Sequence, residues 1–287
     1  MKLFIEQLLN GLAMGSIYAI ITLGLALVYG VMRILHVAHA SVYTVGAYVG
    51  VFIYQATGSL TLAFLGSMVF CSVLGVLIER LVYFPLLKFP PYVPLIASIA
   101  VMLTIEEVCR LVAGPQIYTF SLKLPFPDLD LGGVHVSSTL LAVYVFTAGI
   151  LVFLWYLTTR TEVGLAMRAT SQDMAIAGAQ GINSHFIVSL TFVIGSAIAA
   201  VGGILVGIYY NQVYPTMGAV PAYKTLALIV VGGMGSVPGA VIAALLLGLA
   251  ETMLIGYLNV PFPRDALAFV AMILVLVWRS EGLLGSR

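Results

Sequence analysis

Charge is what this 287-residue chain has least of: Asp, Glu, Lys and Arg make up 8% of it, where soluble domains carry roughly 25%. Twelve basic residues against eleven acidic ones leave a net charge of +1, so the chain offers no basic surface for nucleic acid, and none is expected as a partner. Cysteine is nearly absent. Cys71 and Cys109 both lie inside apolar runs, where packing as small hydrophobes is the expectation rather than a disulfide or a metal site. No Gly-Lys dipeptide occurs, which excludes a phosphate loop of the GxxxxGK[ST] kind and ATP hydrolysis by that route. No nucleophile, base and orienting group can be assembled from spacing. The chain is therefore expected to be no enzyme, with no catalytic residues, no cofactor and no metal.

What is present is apolar length. Hydrophobic residues are 62% of the chain and the mean hydropathy is +1.13. Several runs reach the roughly 20 residues a helix needs to cross a bilayer, whereas barrel strands would be about 10 residues long and alternating. The expected fold is an all-α polytopic membrane protein, one transmembrane domain over residues 1–287, with lipid as its surroundings. Spans are expected at 8–31, 37–56, 59–82, 94–114, 139–158, 187–210 and 266–279. A further stretch, 224–256, is too long for one span and is broken by Gly232, Gly233, Gly235, Pro238 and Gly239. Such a break is tolerated at membrane depth only where it is buried or lines a cavity. It reads either as a hinge or helix break of the kind transporter sites use, or as a tight turn at the surface. About eight transmembrane helices result, eight or nine depending on that segment.

Small residues recur at four-residue spacing, which lets membrane helices approach closely. Gly11 with Gly15 and Gly46 with Gly50 are isolated pairs, while Gly195, Ala199, Gly203 and Gly207 form a ladder. Polar side chains are confined to few places. His36, His39, Ser41 and Tyr43 mark a polar junction between the first two spans. Two histidines three apart share a helix face, and pathway lining or a structural role fits them better than a metal site, which needs more ligands. Glu106 and Arg110, four apart with Glu107 beside them, would each cost about 2.5–3.5 kcal/mol at the bilayer centre, so an interfacial salt bridge is expected. Residues 115–138, with Pro115, Pro125 and Pro127, form a loop that suits an extramembrane partner. Lys and Arg near span ends place Arg33, Arg80 with Lys88, and Arg160 with Arg168 in alternate loops. Those loops are expected in the cytosol, with the amino terminus and the 115–138 and 211–222 loops outside.

The longest polar island is 159–187, TRTEVGLAMRATSQDMAIAGAQGINSHF within it. Thr170 followed three residues on by Asp173 is a capping-box pattern, and Gly181 is a C-cap glycine, so a helix is expected over 171–180. It reads as a docking helix or as an ordinary inter-helix loop.

Three motifs in order, NGLAMGSIYAIITLGLALVYGVMRILHVAHASVYTVGAYV, RTEVGLAMRATSQDMAIAGAQGIN and LIVVGGMGSVPGAVIAALLLGLAE, cover nearly the whole chain. Together they resemble the branched-chain amino acid permeases of bacterial ABC importers, the LivH type. The resemblance implies a multi-pass protein of the cytoplasmic (inner) membrane of a prokaryote that carries amino acids, Leu, Ile and Val first among them. It also implies partners: a second, related permease subunit in a heterodimer, two cytosolic ATPase subunits that hydrolyse ATP, and an extracytoplasmic solute-binding protein. By the same resemblance Gly164, Arg168, Ala169, Asp173, Ala177, Gly181, Ile182 and Asn183 form the helix that couples to the ATPase. One departure stands out: family members often read Asn-Phe-Ala-His-Gly-Glu where this chain has His36-Val37-Ala38-His39-Ala40-Ser41. If that junction lines the pathway its chemistry is no longer acidic, and relatives that carry urea, short amides or aromatic acids become the alternative. A secondary transporter or channel working without ATP is the alternative from another class. It leaves the capped polar helix unexplained.

Overall fold

In the computed structural model the described residues are 2–120, 128–131, 134–258, 263–279 and 281–285. Pro125 and Pro127 lie outside them. The elements are α1 (Lys2–Met32), α2 (His39–Thr57), α3 (Leu60–Ile78), α4 (Phe84–Leu86), α5 (Tyr92–Ala113), a hairpin of β1 (Leu129–Leu131) and β2 (Val134–Val136), and α6 (Ser138–Arg160). After these come α7 (Glu162–Gln172), α8 (Met174–Ala179), α9 (Ser184–Tyr210), α10 (Ala219–Gly232), α11 (Val237–Glu251) and α12 (Arg264–Trp278). π-helical turns at Glu79–Tyr83 and Thr252–Tyr257 prolong α3 and α11. Among the described residues five helices are long and apolar enough to cross a membrane: Lys2–Met32, Leu60–Leu86, Ser138–Arg160, Ser184–Tyr210 and Val237–Tyr257.

α1 and α9 are the axis of the bundle, and small residues put them there. The windows of highest hydropathy in these two helices are 94% and 83% buried, against 33% and 28% for Leu60–Leu86 and Ser138–Arg160, which turn apolar faces outward. A Cβ added at Gly15 would lie 2.7 Å from the Leu245 Cα of α11, and one at Gly46 would lie 2.5 Å from the Ala200 Cα of α9. The four-residue ladder of α9 packs the same way: Gly195 faces Gly24 of α1, Ala199 is fully buried, Gly203 abuts Tyr43 and Ala47 of α2, and Gly207 meets Phe120 and Val213. Where lipid supplies no hydrophobic drive between helices, this close fit and its dispersion energy hold them together.

Two segments, the polar junction after the first span and the 211–222 segment expected as an outer loop, fold into the bundle. Each begins at a non-glycine residue with positive φ, Arg33 at 55° and Asn211 at 51°, a conformation uncommon outside glycine. After Arg33 the chain turns back, and α2 starts with His39 packed against Gly24, about 12 Å short of the end of α1 at 1.5 Å per residue. After Asn211 the segment expected as an outer loop runs inward, burying Val213, Met217 and Ala222. It is braced by Tyr118, whose N–H donates to the Val213 carbonyl at 2.9 Å and whose carbonyl accepts from the Val213 N–H at 2.8 Å. Non-helical backbone is tolerated at this depth because the surrounding protein, rather than lipid, meets its polar groups.

The 224–256 stretch is a helical hairpin: α10, a corner at 233–236, and α11 capped by Ser236, whose Oγ accepts from Gly239 N–H at 3.2 Å. Gly233 and Gly235 take φ values of +104° and +89°. Gly232 and Gly239 touch backbone to backbone, and the carbonyls of Val231 and Gly232 accept from Leu283 and Leu284.

Candidate functional site

The two inward-turning segments meet. Gly218, just before α10, lies against the Ala40 carbonyl and 2.6 Å, by its added Cβ, from the Thr44 hydroxyl of α2. The starts of α2 and α10 thus face each other inside the bundle, reached from opposite ends. α10 has 14 residues, about 21 Å of helix, enough for little more than half a bilayer. Discontinuous helices that meet at depth are the places where transporters build binding sites.

A cavity of about 220 Å³ opens at this meeting point. α1 gives it Met14, Ile17, Tyr18 and Ile21; α2 gives Tyr43; α9 gives Val206 and Tyr210. The inward segment and the first turn of α10 close it with Gln212, Tyr214, Met217, Val220 and Pro221. The wall is aliphatic with four tyrosines and Gln212, and among the described residues no charged side chain lines it.

Behind that wall lies a network of charge. Lys224, only 1% exposed, donates to Glu251 Oε1 at 2.8 Å and to the Tyr18 hydroxyl at 2.9 Å. Asp265 Oδ1, at the start of α12, is 3.0 Å from the same Nζ. Tyr18 in turn donates to Glu251 Oε2 at 2.8 Å. One lysine therefore ties α10 to α1, α11 and α12. Sequence reading passed over these residues, although a signal existed: Lys224 and Glu251 are opposite charges inside one apolar stretch, and ionisable groups at membrane depth mark function by default.

A second polar cluster surrounds the 33–38 turn. His36 Nδ1 is 2.5 Å from the Tyr83 hydroxyl, which donates to Ser98 Oγ at 2.8 Å, and Ser98 Oγ also accepts from the Ala38 N–H at 2.9 Å. The His39 ring stands 5.6 Å from that of His36. Neither of its ring nitrogens has a hydrogen-bond partner among the described residues. Of the residues expected to line a pathway, Tyr43 lines the cavity, while His36, His39 and Ser41 are buried outside it. Further along, the expected Glu106–Arg110 pair is not formed. Arg110 pairs with Glu107 at 2.8 Å, both exposed, whereas Glu106 is turned into the protein, its Oε1 buried with no hydrogen-bond partner.

At the polar island the expected single helix is two. α7 ends at Gln172 and Asp173, in extended backbone, caps α8: its Oδ1 accepts from Ala175 N–H at 2.7 Å and Ile176 N–H at 2.9 Å. Thr170 is buried within α7 and does not cap. Asp beats Thr here because its carboxylate reaches two orphan donors. The other end is a Schellman motif: Gly181, at φ +86°, donates to Gly178 and Ile182 donates to Ala177, the latter at 3.1 Å. Gly164 sits against the Leu157 and Thr158 carbonyls, Arg168 donates to the Thr158 carbonyl, Ala169 accepts from Asp173 N–H, and Asn183 Oδ1 caps α9 through Phe186 N–H. These eight motif residues therefore shape the island. Leu165, Ile176 and Phe186, each about 60% exposed, present its apolar surface.

Residues 7–277 match the family described as branched-chain amino acid transport system, permease component. The high-affinity branched-chain amino acid transport system permease protein BraD of Pseudomonas aeruginosa is 33% identical, over 98% of this chain and 96% of its own length. LivH of Escherichia coli, of the same description, is 32% identical over the same shares. The galactofuranose transporter permease protein YtfT of Escherichia coli is 28% identical over 92% of this chain and 73% of its own. Among solved structures, PsaBC from Streptococcus pneumoniae in complex with Fab shares the fold, with a TM-score of 0.50 at 13% identity over 92% of this chain and 87% of that one. The chain belongs to the family of permease components of branched-chain amino acid transport systems.

Proposed function

We propose that this chain is one of two related permease subunits of an ATP-driven importer that carries branched-chain amino acids across the cytoplasmic membrane of a prokaryote. The observation that carries the reading is the aliphatic cavity at the meeting of two broken helices, in a chain of this family. Leu, Ile and Val bring a branched hydrocarbon that suits Ile17, Ile21, Val206 and Met217. Eight helices cross the membrane and α10 enters it part way, with the amino terminus outside and the polar island in the cytosol. The whole chain acts as one transmembrane domain. Two ATPases hydrolyse ATP and dock on residues 159–187, where Asp173 and Gly181 fix α8 so that Ile176 projects as an apolar knob. A solute-binding protein delivers substrate from outside. The Gly232 to Gly239 corner is the pivot on which α10 moves as the cavity opens alternately to each side, and His36, His39 and Ser41 border that movement from the cytosolic half.

The test is reconstitution of the chain with its partner permease, ATPases and binding protein in liposomes. ATP-dependent uptake of labelled leucine is expected. Uptake by this chain alone without ATP would overturn the proposal in favour of a secondary transporter.

A further inference from the structure

We infer that Tyr18 is the specificity-determining acceptor that recognises the ammonium group of the transported amino acid, with its polarity fixed by Glu251 and Lys224. This rests on reading the cavity as the substrate's transit site. The argument is a count of hydrogens and lone pairs. Lys224 has three N–H donors, and three acceptors surround it, Glu251 Oε1, Tyr18 Oη and Asp265 Oδ1 at 2.8, 2.9 and 3.0 Å. It is saturated, and nothing remains for a substrate carboxylate. Tyr18 has one O–H hydrogen and donates it to Glu251 Oε2 at 2.8 Å. Its oxygen has two lone pairs, and Lys224 occupies one. What Tyr18 has left is a single acceptor position.

Tyr18 is also the one member of this network that lines the cavity. A tyrosine with a free rotor would serve donors and acceptors alike; this one serves donors only. Tyr210, on the same cavity, donates its hydrogen to the weak acceptor Met14 Sδ at 3.2 Å and offers its lone pairs as well. A small cavity with acceptors at Tyr18 and Tyr210, donor groups at Tyr43, Tyr214 and Gln212, and an aliphatic wall suits a substrate bearing both N–H donors and a carboxylate beside a hydrocarbon. An α-amino acid has both. The carboxylic acid of the same skeleton without its amino group lacks the N–H donors that the Tyr18 acceptor would take.

Glu251→Gln gives the sharpest test, since it keeps volume and swaps one acceptor for a donor. With the amide oxygen on Lys224, the amide N–H₂ donates to Tyr18, and the freed hydroxyl hydrogen turns toward the cavity. The experiment uses the purified permease–ATPase complex without binding protein. Saturable binding of labelled leucine and of 4-methylpentanoate, leucine's skeleton lacking the amino group, is measured for the unaltered complex, Tyr18→Phe and Glu251→Gln. Uptake of leucine by the complete importer is measured in parallel. The unaltered complex is expected to prefer leucine at least about tenfold, the size of a hydrogen bond to a charged group, and both variants are expected to lose that preference. A preference unchanged in Glu251→Gln and Tyr18→Phe overturns the role of Tyr18 while leaving the importer reading intact, as does the absence of leucine binding to the unaltered complex. Absence of leucine uptake by the complete unaltered importer sinks the importer reading itself.

Discussion

Lys224 Nζ and Glu251 Oε1 are 2.8 Å apart with side chains 2% and 1% exposed, in two helices joined by a glycine corner. Two charges so placed lose their water and regain it only in each other, in Tyr18 and in Asp265. Taking one partner away leaves the other stranded, at about 3–5 kcal/mol, whereas replacing both by apolar groups of similar volume is close to neutral. Lys224→Met is therefore expected to lower the thermal unfolding midpoint of the purified protein more than the double variant Lys224→Met/Glu251→Leu does. Equal losses in the two would show that the pair carries no such penalty.

Ser98 is expected to matter out of proportion to its size. Its one oxygen accepts from both the Ala38 N–H and the Tyr83 hydroxyl, at the place where the 33–38 turn passes through the protein interior. Ser98→Ala strands a buried backbone donor at a cost of about 1–3 kcal/mol. Stability against denaturant in detergent measures it, and a loss below a few tenths of a kcal/mol would mean another acceptor takes over.

The packing of α1 on α11 makes a contrast within one residue type. A Cβ at Gly15 would press on the Leu245 backbone, whereas one at Gly149 in α6 would meet nothing within 4 Å. Gly15→Leu is expected to destabilise by about 1–3 kcal/mol or more, as overpacked cores do, and Gly149→Ala to be neutral within about 0.5 kcal/mol. Thermal midpoints of the two, side by side, decide whether close approach or apolarity alone holds these helices.

Helices and their order were legible because a membrane chain must bury every backbone polar group inside a segment, and the apolar runs could be nothing else. The ladder of α9 and the glycine corner were legible for the same reason, since small residues in an apolar run have few other uses. The inward courses of 33–38 and 211–218 were not. Their signals are single residues, Arg33 and Asn211, whose positive φ is set by the tertiary fold. Lys224 was missed because hydropathy averages one lysine away among its neighbours, and its partner Glu251 is 27 positions on. In the island, Thr170 and Asp173 both carry capping oxygens, and sequence spacing favoured the threonine. Burial of Thr170 in α7 reversed that choice.

The exposed knob of α8 gives the last prediction. Ile176 is 62% exposed on a helix of six residues, too short to hold its shape by propagation alone. It is held instead by the Asp173 cap at one end and the Schellman turn at Gly181 at the other. Two kinds of change are therefore separable. Ile176→Asp leaves the cap, the turn and the buried Ala177 as they are, and it removes only the apolar surface on which the proposed ATPase would dock. Asp173→Ala removes the cap, at about 0.5–2 kcal/mol, and Gly181→Pro forces φ near −65° where the turn needs a positive value,. All three are expected to insert normally and to lose ATP-coupled uptake, Ile176→Asp by weaker co-purification of the ATPase with an unchanged unfolding midpoint, the other two with α8 itself disordered in hydrogen exchange. Full ATPase association and uptake in Ile176→Asp would move the docking surface elsewhere, to Leu165 or Phe186 on the flanks of the same island.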